Sequence, residues 1–311
     1  MKSSMKAIEV SHKDKIFFPK SGITKSELVY YYEQIADHML PYLKDRPLTM
    51  HRFPSGIGKE GFYQKNASDY FPGWIKTIKI KKKDGWVNHV ICDTKETLVY
   101  LANQGTITFH IALSKVDKLD YPDKLIFDLD PPNGNFEPVV IGAKILRKLL
   151  ETDLGLMTYL MTTGSQGLHV VVPLNHTEKF NDVHDFAKSI ANYLVNTNPG
   201  KFTTAMRKDQ RKGRLFLDYL RNSYAQTAVC PFSVRAFEGA PVATPIDWEE
   251  LENGIPSSQA YNINTIFDRL KRKVDPWKDF SKHAKVLSGA KKELKKLMDR
   301  PKPMDAKNIV I

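Results

Sequence analysis

Cysteine is almost missing: Cys92 and Cys230 stand alone among 311 residues. Two thiols so far apart build neither a disulfide framework nor a CxxC metal knuckle, and they point to a reducing compartment. Long apolar runs are missing as well. No stretch approaches the roughly 20 apolar residues of a membrane span, and the opening MKSSMKAIEVSHKDK lacks the apolar core of a signal peptide. A cytoplasmic location with no membrane contact is the expectation. Internal repeats, long low-complexity linkers and the pattern GxxxxGK[ST] are also lacking, which argues against an array of modules and against a Walker-type nucleotide site. Acidic residues are scarce beside basic ones: 35 Asp and Glu face 47 Lys and Arg, a net +12. That excess favours a polyanion such as nucleic acid, although a merely solvated basic surface carries the same charge.

What is present is the composition of a folded protein, 41% hydrophobic and 26% charged with a mean hydropathy of −0.40. The length suits one large domain or two packed closely together. In SGITKSELVYYYEQIADHMLPYL, Thr24 and Glu27 match a capping box and Leu28, Tyr31, Tyr32, Ile35 and Met39 recur at helical spacing. The pattern predicts a helix ended near Pro41. RPLTMHRF reads as a short strand and FYQKNASDYFP as a surface loop in which aromatic and basic residues interleave. TIKIKKKDGWVNHVIC predicts a hairpin about Asp84-Gly85. Its Lys79, Lys81, Lys82 and Lys83 carry positive charge that is usually only a solvated edge.

A helix is expected over 94–102, followed by the strands TITFHIAL and KLIFDLD. A helix stopped by glycine (PVVIGAKILRKLLETDLG), the strands LMTYLMTT and LHVVVPL, and the helix VHDFAKSIANYLVNT come next. GRLFLDYL and AVCPFSVRAF read as the last core strands, and WEELENG and the Lys-rich tail as peripheral helices. The sum is an α+β pattern.

Within it, LIFDLDPP places Asp128 and Asp130 one residue apart, so both leave the same face of a strand while Leu129 leaves the other. Like charges that close raise each other's pKa unless a cation neutralises them. Taken alone, the stretch suits a metal pair and a proline-stopped turn equally well. Asp218, in the apolar RLFLDYL, adds a third acid on a second core strand, where an unpaired charge is expensive. Three carboxylates suit hard divalent ions, Mg²⁺ or Mn²⁺, better than zinc. Between the two strands, TTGSQGLHVVV offers a small-residue turn with the hydroxyls of Thr163 and Ser165 and the imidazole of His169, groups that could donate to phosphate. A plain hairpin with a core histidine fits the same stretch. Arg52, Arg211 and Arg235 are further candidates for phosphate clamps.

IFDLDPP, TTGSQGLHVVVPL, GRLFLDYLRNS and PFSVRA, in this order and spacing, resemble the polymerase domain of bacterial DNA ligase D, within the archaeo-eukaryotic primase superfamily. The likeness runs from about Lys6 to about Leu251 and includes RPLTMHRFPSGI and GFYQKNA. It implies an α+β primase-polymerase fold, with mixed and antiparallel sheets and an RRM-like catalytic module flanked by helices. A single domain over 1–311 is implied, with a DNA-binding part over 1–115, the catalytic module over 116–250 and a peripheral helical segment over 251–311.

The resemblance further implies that Asp128, Asp130 and Asp218 hold two divalent ions, Mn²⁺ in preference to Mg²⁺. Arg52, His110, Thr163, Ser165, Gln166, His169 and Arg235 would meet the nucleotide; Lys15, Lys25 and His12 the DNA 5′-phosphate; Phe62, Tyr63, Lys65 and Arg211 the template and primer. Thr163 stands where the family usually has Ser, Gln166 where Lys or Arg is common and His12 where Asn is frequent.

The implied activity is template-directed addition of nucleotides, ribonucleotides by preference, at gaps and double-strand break ends in non-homologous end joining. The implied partners are 5′-phosphorylated DNA, NTP or dNTP, a Ku-type protein and a DNA ligase. The implied state is a nucleoid-associated monomer able to pair across a DNA synapse. A de novo primase and a non-catalytic DNA-end binding module are the alternatives.

Overall fold

The structure, a computed structural model, describes residues 8–82 and 85–300. Two sheets organise it. In the larger, six strands run in the order Phe202–Thr203, Leu215–Asp218, Lys124–Asp130, Leu168–Pro173, Tyr159–Thr162 and Thr244–Ile246. All neighbours are antiparallel except the first pair. In the smaller, four antiparallel strands run Thr227–Val229, Thr106–Ala112, Leu48–Arg52 and Phe62–Gln64. The architecture is the expected α+β arrangement.

Each sheet has its own helices. The helix Lys25–Leu43 carries the expected capping box, with the Thr24 hydroxyl accepting from Glu27 N and the Glu27 carboxylate accepting from Thr24 N. Its apolar face (Leu28, Tyr32, Ile35, Met39) joins Met50, Phe109 and residues of the helix Lys95–Asn103 in one core. Pro41 does not end it but lies within its last turns. The helices Glu137–Arg147, continued as a wider π-turn over Lys148–Asp153, and Phe180–Thr197 cover the larger sheet and form a second core.

The alternation of the strand Lys124–Asp130 decides where the acids go. Leu125, Phe127 and Leu129 enter the helix-side core, whereas Ile126 joins a third, smaller cluster with Val171, Met161, Ala228 and Val229, which draws on both sheets. Asp128 and Asp130 share the face of Ile126. They therefore project into the seam between the sheets at the strand's end, just before Pro131 and Pro132.

Two elements differ from the sequence reading. FYQ is an edge strand beside Leu48–Arg52 and not a loop, because cross-strand pairing completes the smaller sheet. Of AVCPFSVRAF only Ala228 and Val229 are in a strand, Thr227–Val229; Phe232 takes a positive φ of 65°, which breaks the extended path, and a single bridge joins Val234 to Val242. The hairpin pairs Thr77–Lys82 with Gly85–Val90. Lys83 and Asp84, on which that reading centred, lie outside the described residues, as does the Lys82 side chain. The C-terminal segment reaches inward: Trp277, Leu287 and Leu294 are buried, and Ser258 touches the TTGSQG turn. Among the described residues no helix is long and apolar enough to cross a membrane.

Candidate active site

Strand register builds the site. Asp128 sits opposite Asp218 on one neighbour and opposite His169 on the other. A cavity of ≈80 Å³ at this point is lined by Asp128, Asp130, Thr163, Ser165, His169, Arg221 and Arg235, with His110 and Val229 supplied by the smaller sheet. That volume holds two or three waters, a phosphate group or small cations, and not a nucleobase with its sugar.

The electrostatics are uneven. Burial would raise the Asp128 pKa, but Arg221 and His169 outweigh it and hold the carboxyl well below the usual range. Arg221 Nε donates to Asp128 Oδ2 at 2.6 Å, and His169 Nε2 lies 3.5 Å from the same oxygen. Asp130 is pushed up to about 7 by burial and by the neighbouring charge of Asp128. Asp218 is raised for the same two reasons, although its Oδ1 accepts from Leu220 N at 2.8 Å and Arg221 Nε lies 3.8 Å from its Oδ2. Burial and the nearby Arg235 and Arg221 charges lower His110 far enough to keep it neutral near pH 7.

Among the described residues, nine buried side-chain polar atoms lack a partner, and three of them, Asp128 Oδ1, His110 Nε2 and His169 Nδ1, belong to residues of this pocket. Such a concentration marks a site built for a ligand. An orphaned carboxylate oxygen within an all-oxygen set of three acids fits a hard divalent cation. The acids do not yet form a cage: among the described residues no three His, Cys, Asp or Glu side chains converge closely enough to hold a metal. The Arg221 guanidinium lies between Asp128 and Asp218 and spends its charge on both.

The TTGSQG turn behaves otherwise than expected of an open anion cradle. The Thr163 hydroxyl accepts from Ser165 N at 3.3 Å and Gly167 N at 3.2 Å, so two backbone donors are consumed inside the turn. Ser258 Oγ donates to Gly167 O at 2.6 Å, and Arg235 Nη1 donates to Thr163 O at 2.6 Å. Thr163 thus shapes the turn, Ser165 and Arg235 face the cavity, and Gln166 is exposed. Gly167 is required by space: a Cβ there would lie 2.3 Å from Leu129 O.

Other candidates fall elsewhere. Arg52 is not at the pocket; its guanidinium is engaged by Gln104 O at 3.0 and 2.6 Å, Gln64 Oε1 at 2.6 Å and Tyr70 Oη at 3.0 Å. Arg211 is buried, donating to Ala205 O and Met206 O and lying over the Phe216 ring at 4.0 Å, so it braces its own loop and offers no free fork. Both were expected to clamp a ligand, and both are satisfied internally because a buried guanidinium must find acceptors.

Phe62 and Tyr63 are exposed; Tyr63 stacks on His51 with centroids 4.0 Å apart and meets His110 edge-on at 5.8 Å, which puts it beside the pocket. Lys65 lines a separate cavity of ≈340 Å³ with Lys81 and His89. Backbone bonds bring Lys15, Lys25 and His12 together, with Lys15 N donating to His12 O and Lys25 N to Lys15 O. Lys25 Nζ donates to Ser11 O and Oγ, while burial and the Lys15 charge lower its pKa. Two cations gathered at a helix N-terminus suit an anion.

The residue that sequence reasoning passed over is Arg221. Its signal was in view, three positions after Asp218 in LDYLRNS, a spacing that returns a side chain to the acid when the strand ends in a turn.

Fold and site together define a class: an α+β primase-polymerase fold with an acidic pocket in the seam of two sheets. The solved polymerase domain of ligase D from Mycobacterium tuberculosis, in complex with DNA, shares this fold with a TM-score of 0.81 at 27% identity, covering 89% of this chain and 99% of that one. The chain belongs to the LigD primase-polymerase family, whose sequence model, described as the LigD primase-polymerase domain, matches residues 24–277. It is 33% identical over 287 residues to the bifunctional non-homologous end joining protein LigD of Bacillus subtilis, covering 91% of this chain and 46% of that protein. It is 32% identical over 265 residues to the multifunctional LigD of Mycolicibacterium smegmatis, covering 85% and 34% respectively. The chain therefore spans between a third and a half of these relatives.

Proposed function

We propose that this chain is a template-directed nucleotidyltransferase that extends DNA 3′ ends at gaps and breaks during non-homologous end joining. The observation that carries the reading is the pocket lined by Asp128, Asp130, His169, Arg235 and, from the smaller sheet, His110, with Asp218 opposite Asp128 on the next strand. Asp128, through its unpartnered Oδ1, with Asp130 and Asp218 would hold two divalent ions, Mn²⁺ or Mg²⁺. Bound there, such ions would lower the pKa of the attacking hydroxyl and offset charge on the leaving pyrophosphate.

The chain's own groups do the rest. Arg235, anchored to Thr163 O, and the Ser165 hydroxyl orient the triphosphate. Neutral His110 holds one ring proton and can donate it to a phosphate oxygen without repelling the neighbouring arginines. The base and sugar lie outside the small cavity, where exposed Phe62 and Tyr63 offer stacking faces to template and incoming base. Lys15, Lys25 and His12 receive the 5′-phosphate across the gap, and Lys65 approaches the template backbone.

The +12 charge supports non-sequence-specific binding to DNA ends, with affinity that falls steeply with salt. Ribonucleotide preference, a Ku-type partner, a DNA ligase, pairing of two copies across a synapse and action at the nucleoid belong to the same reading. So does the division of one domain into DNA-binding, catalytic and C-terminal parts.

The test is primer extension on a gapped duplex with Mn²⁺, comparing NTP with dNTP and 5′-phosphate with 5′-hydroxyl. The expected result is addition favoured by the 5′-phosphate; absence of any addition under every condition overturns the reading.

A further inference from the structure

The acid cluster has an occupant of its own, and its geometry restricts what else can share it. Arg221 Nε lies 2.6 Å from Asp128 Oδ2 and 3.8 Å from Asp218 Oδ2, so one guanidinium spans the two acids. Asp128 Oδ1, on the same carboxylate, has no partner and is buried. The two oxygens of Asp128 thus have different roles: Oδ2 is taken by Arg221, with His169 Nε2 at 3.5 Å, and Oδ1 is open.

The backbone that presents Arg221 is fixed. Asn222, next in sequence and fully buried, accepts from Ile126 N at 2.8 Å and donates to Ile126 O at 2.7 Å and Tyr219 O at 2.8 Å, which ties the turn to the acid strand. The Arg221 side chain, by contrast, is about one-third exposed, against 4% for Asp128. Main chain is locked and side chain has a way out. A cation that reaches both Asp128, through its open Oδ1, and Asp218 lies beside the guanidinium that already spans these two acids, and two positive groups at that separation repel.

We infer that Arg221 is an exchangeable internal counter-cation: it neutralises Asp128 and Asp218 when no divalent ion is bound and competes directly with divalent ions for those carboxylates. The inference rests on the metal-binding reading of this pocket. Arg221 acts on the acids that would hold the metal, and so is a positioning residue. Its two effects run in opposite directions. It keeps the metal-free protein folded by offsetting carboxylate repulsion, and it weakens uptake of the metal. The two should therefore trade against each other when it is replaced.

The experiment measures Mn²⁺ binding by isothermal titration calorimetry, without nucleotide or DNA, and thermal unfolding in EDTA, for the wild type, R221Q and R221K. R221Q is expected to bind Mn²⁺ about tenfold more tightly, as removal of one nearby positive charge requires. It is also expected to unfold at lower temperature in EDTA and to regain more of that temperature than wild type on adding Mn²⁺. R221K, which keeps the charge, should stay near wild type in both. Equal or weaker Mn²⁺ binding by a folded R221Q overturns the inference while leaving the metal reading intact. Absence of Mn²⁺ uptake by the wild type overturns the metal reading and the inference with it.

Discussion

The two ends of the strand Lys124–Asp130 bury charge in opposite ways. At its start, Asp123 and Lys124 lie beside Arg46, which leads into the strand Leu48–Arg52 of the smaller sheet. Arg46 Nη1 donates to Asp123 Oδ1 at 3.0 Å and its other amino group pairs with Oδ2, while Lys124 Nζ lies 3.4 Å from Oδ1. Both oxygens of Asp123 are occupied. Burial opposes its ionisation, but Arg46 and Lys124 outweigh that and hold it far below the usual range. Burial and the Arg46 charge bring Lys124 down to about 8.

At the strand's other end, one arginine is shared between Asp128 and Asp218, an oxygen is left open and Asp130 rises to about 7. One end pairs both oxygens of its acid from within and links the acid strand to the smaller sheet, although Arg46 Nε finds no partner. The other leaves charge unsatisfied, which costs stability and can be recovered only from a bound cation. Burial of a carboxylate therefore says little about its role until its partners are counted.

The comparison can be broken at either end. Asp128→Ala should lower nucleotide addition by ~10³-fold or more, since it removes the central ligand, while the melting temperature in EDTA falls by less than for Asp123→Ala, because the Arg221 side chain it strands is one-third exposed and can reach water. Primer extension and thermal unfolding on one preparation check this. Retained activity would move the site elsewhere. Asp123→Ala should do the reverse. It leaves Arg46 and Lys124 buried without their anion, a loss of about 3–5 kcal/mol, which denaturant unfolding would show, with little change in activity per folded molecule.

The pH dependence of the metal-free protein sharpens the contrast. Asp130 binds its proton more tightly folded than unfolded, so between roughly pH 4 and 7 the folded state holds more protons, and stability should fall as pH rises through about 7. Asp123 and Asp128, held low, contribute stability above the unfolded carboxylate pKa that is lost as pH falls below it. Melting temperatures in EDTA from pH 5 to 8 should decline for wild type and flatten for Asp130→Asn. The smallest effect is at the remote turn. Lys15→Ala or Lys25→Ala should each weaken preference for a 5′-phosphate by roughly tenfold without touching extension from a 5′-hydroxyl gap, measured by binding and extension on paired substrates.

Much of the site was legible because it rests on local periodicity. Asp128 and Asp130 share a face by strand alternation alone, and the apolar setting of Asp218 marked it as a companion. The capping box at Thr24 and Glu27 was readable for the same local reason. What could not be read was which polar groups cancel each other across the fold. Arg52 and Arg211 look like free clamps in sequence, yet Gln104, Gln64 and the carbonyls of residues 205 and 206 absorb them. Ser258 comes from a stretch with no motif and meets the TTGSQG turn only because the chain returns there. Phe62–Gln64 reads as a loop because an edge strand of three residues has too little pattern to declare itself.

The space denied to any Cβ at Gly167 has one further consequence. The main chain of the turn rests on the main chain that carries the acids, atom against atom, with no side chain between them. The spacing between the part of the pocket that would grip phosphate and the part that bears the carboxylates is therefore a property of the backbone. A replacement at 167 would change that spacing by pushing two strands apart, and no compensating substitution elsewhere in the pocket could restore it. At this point the tolerance of the site is mechanical before it is chemical.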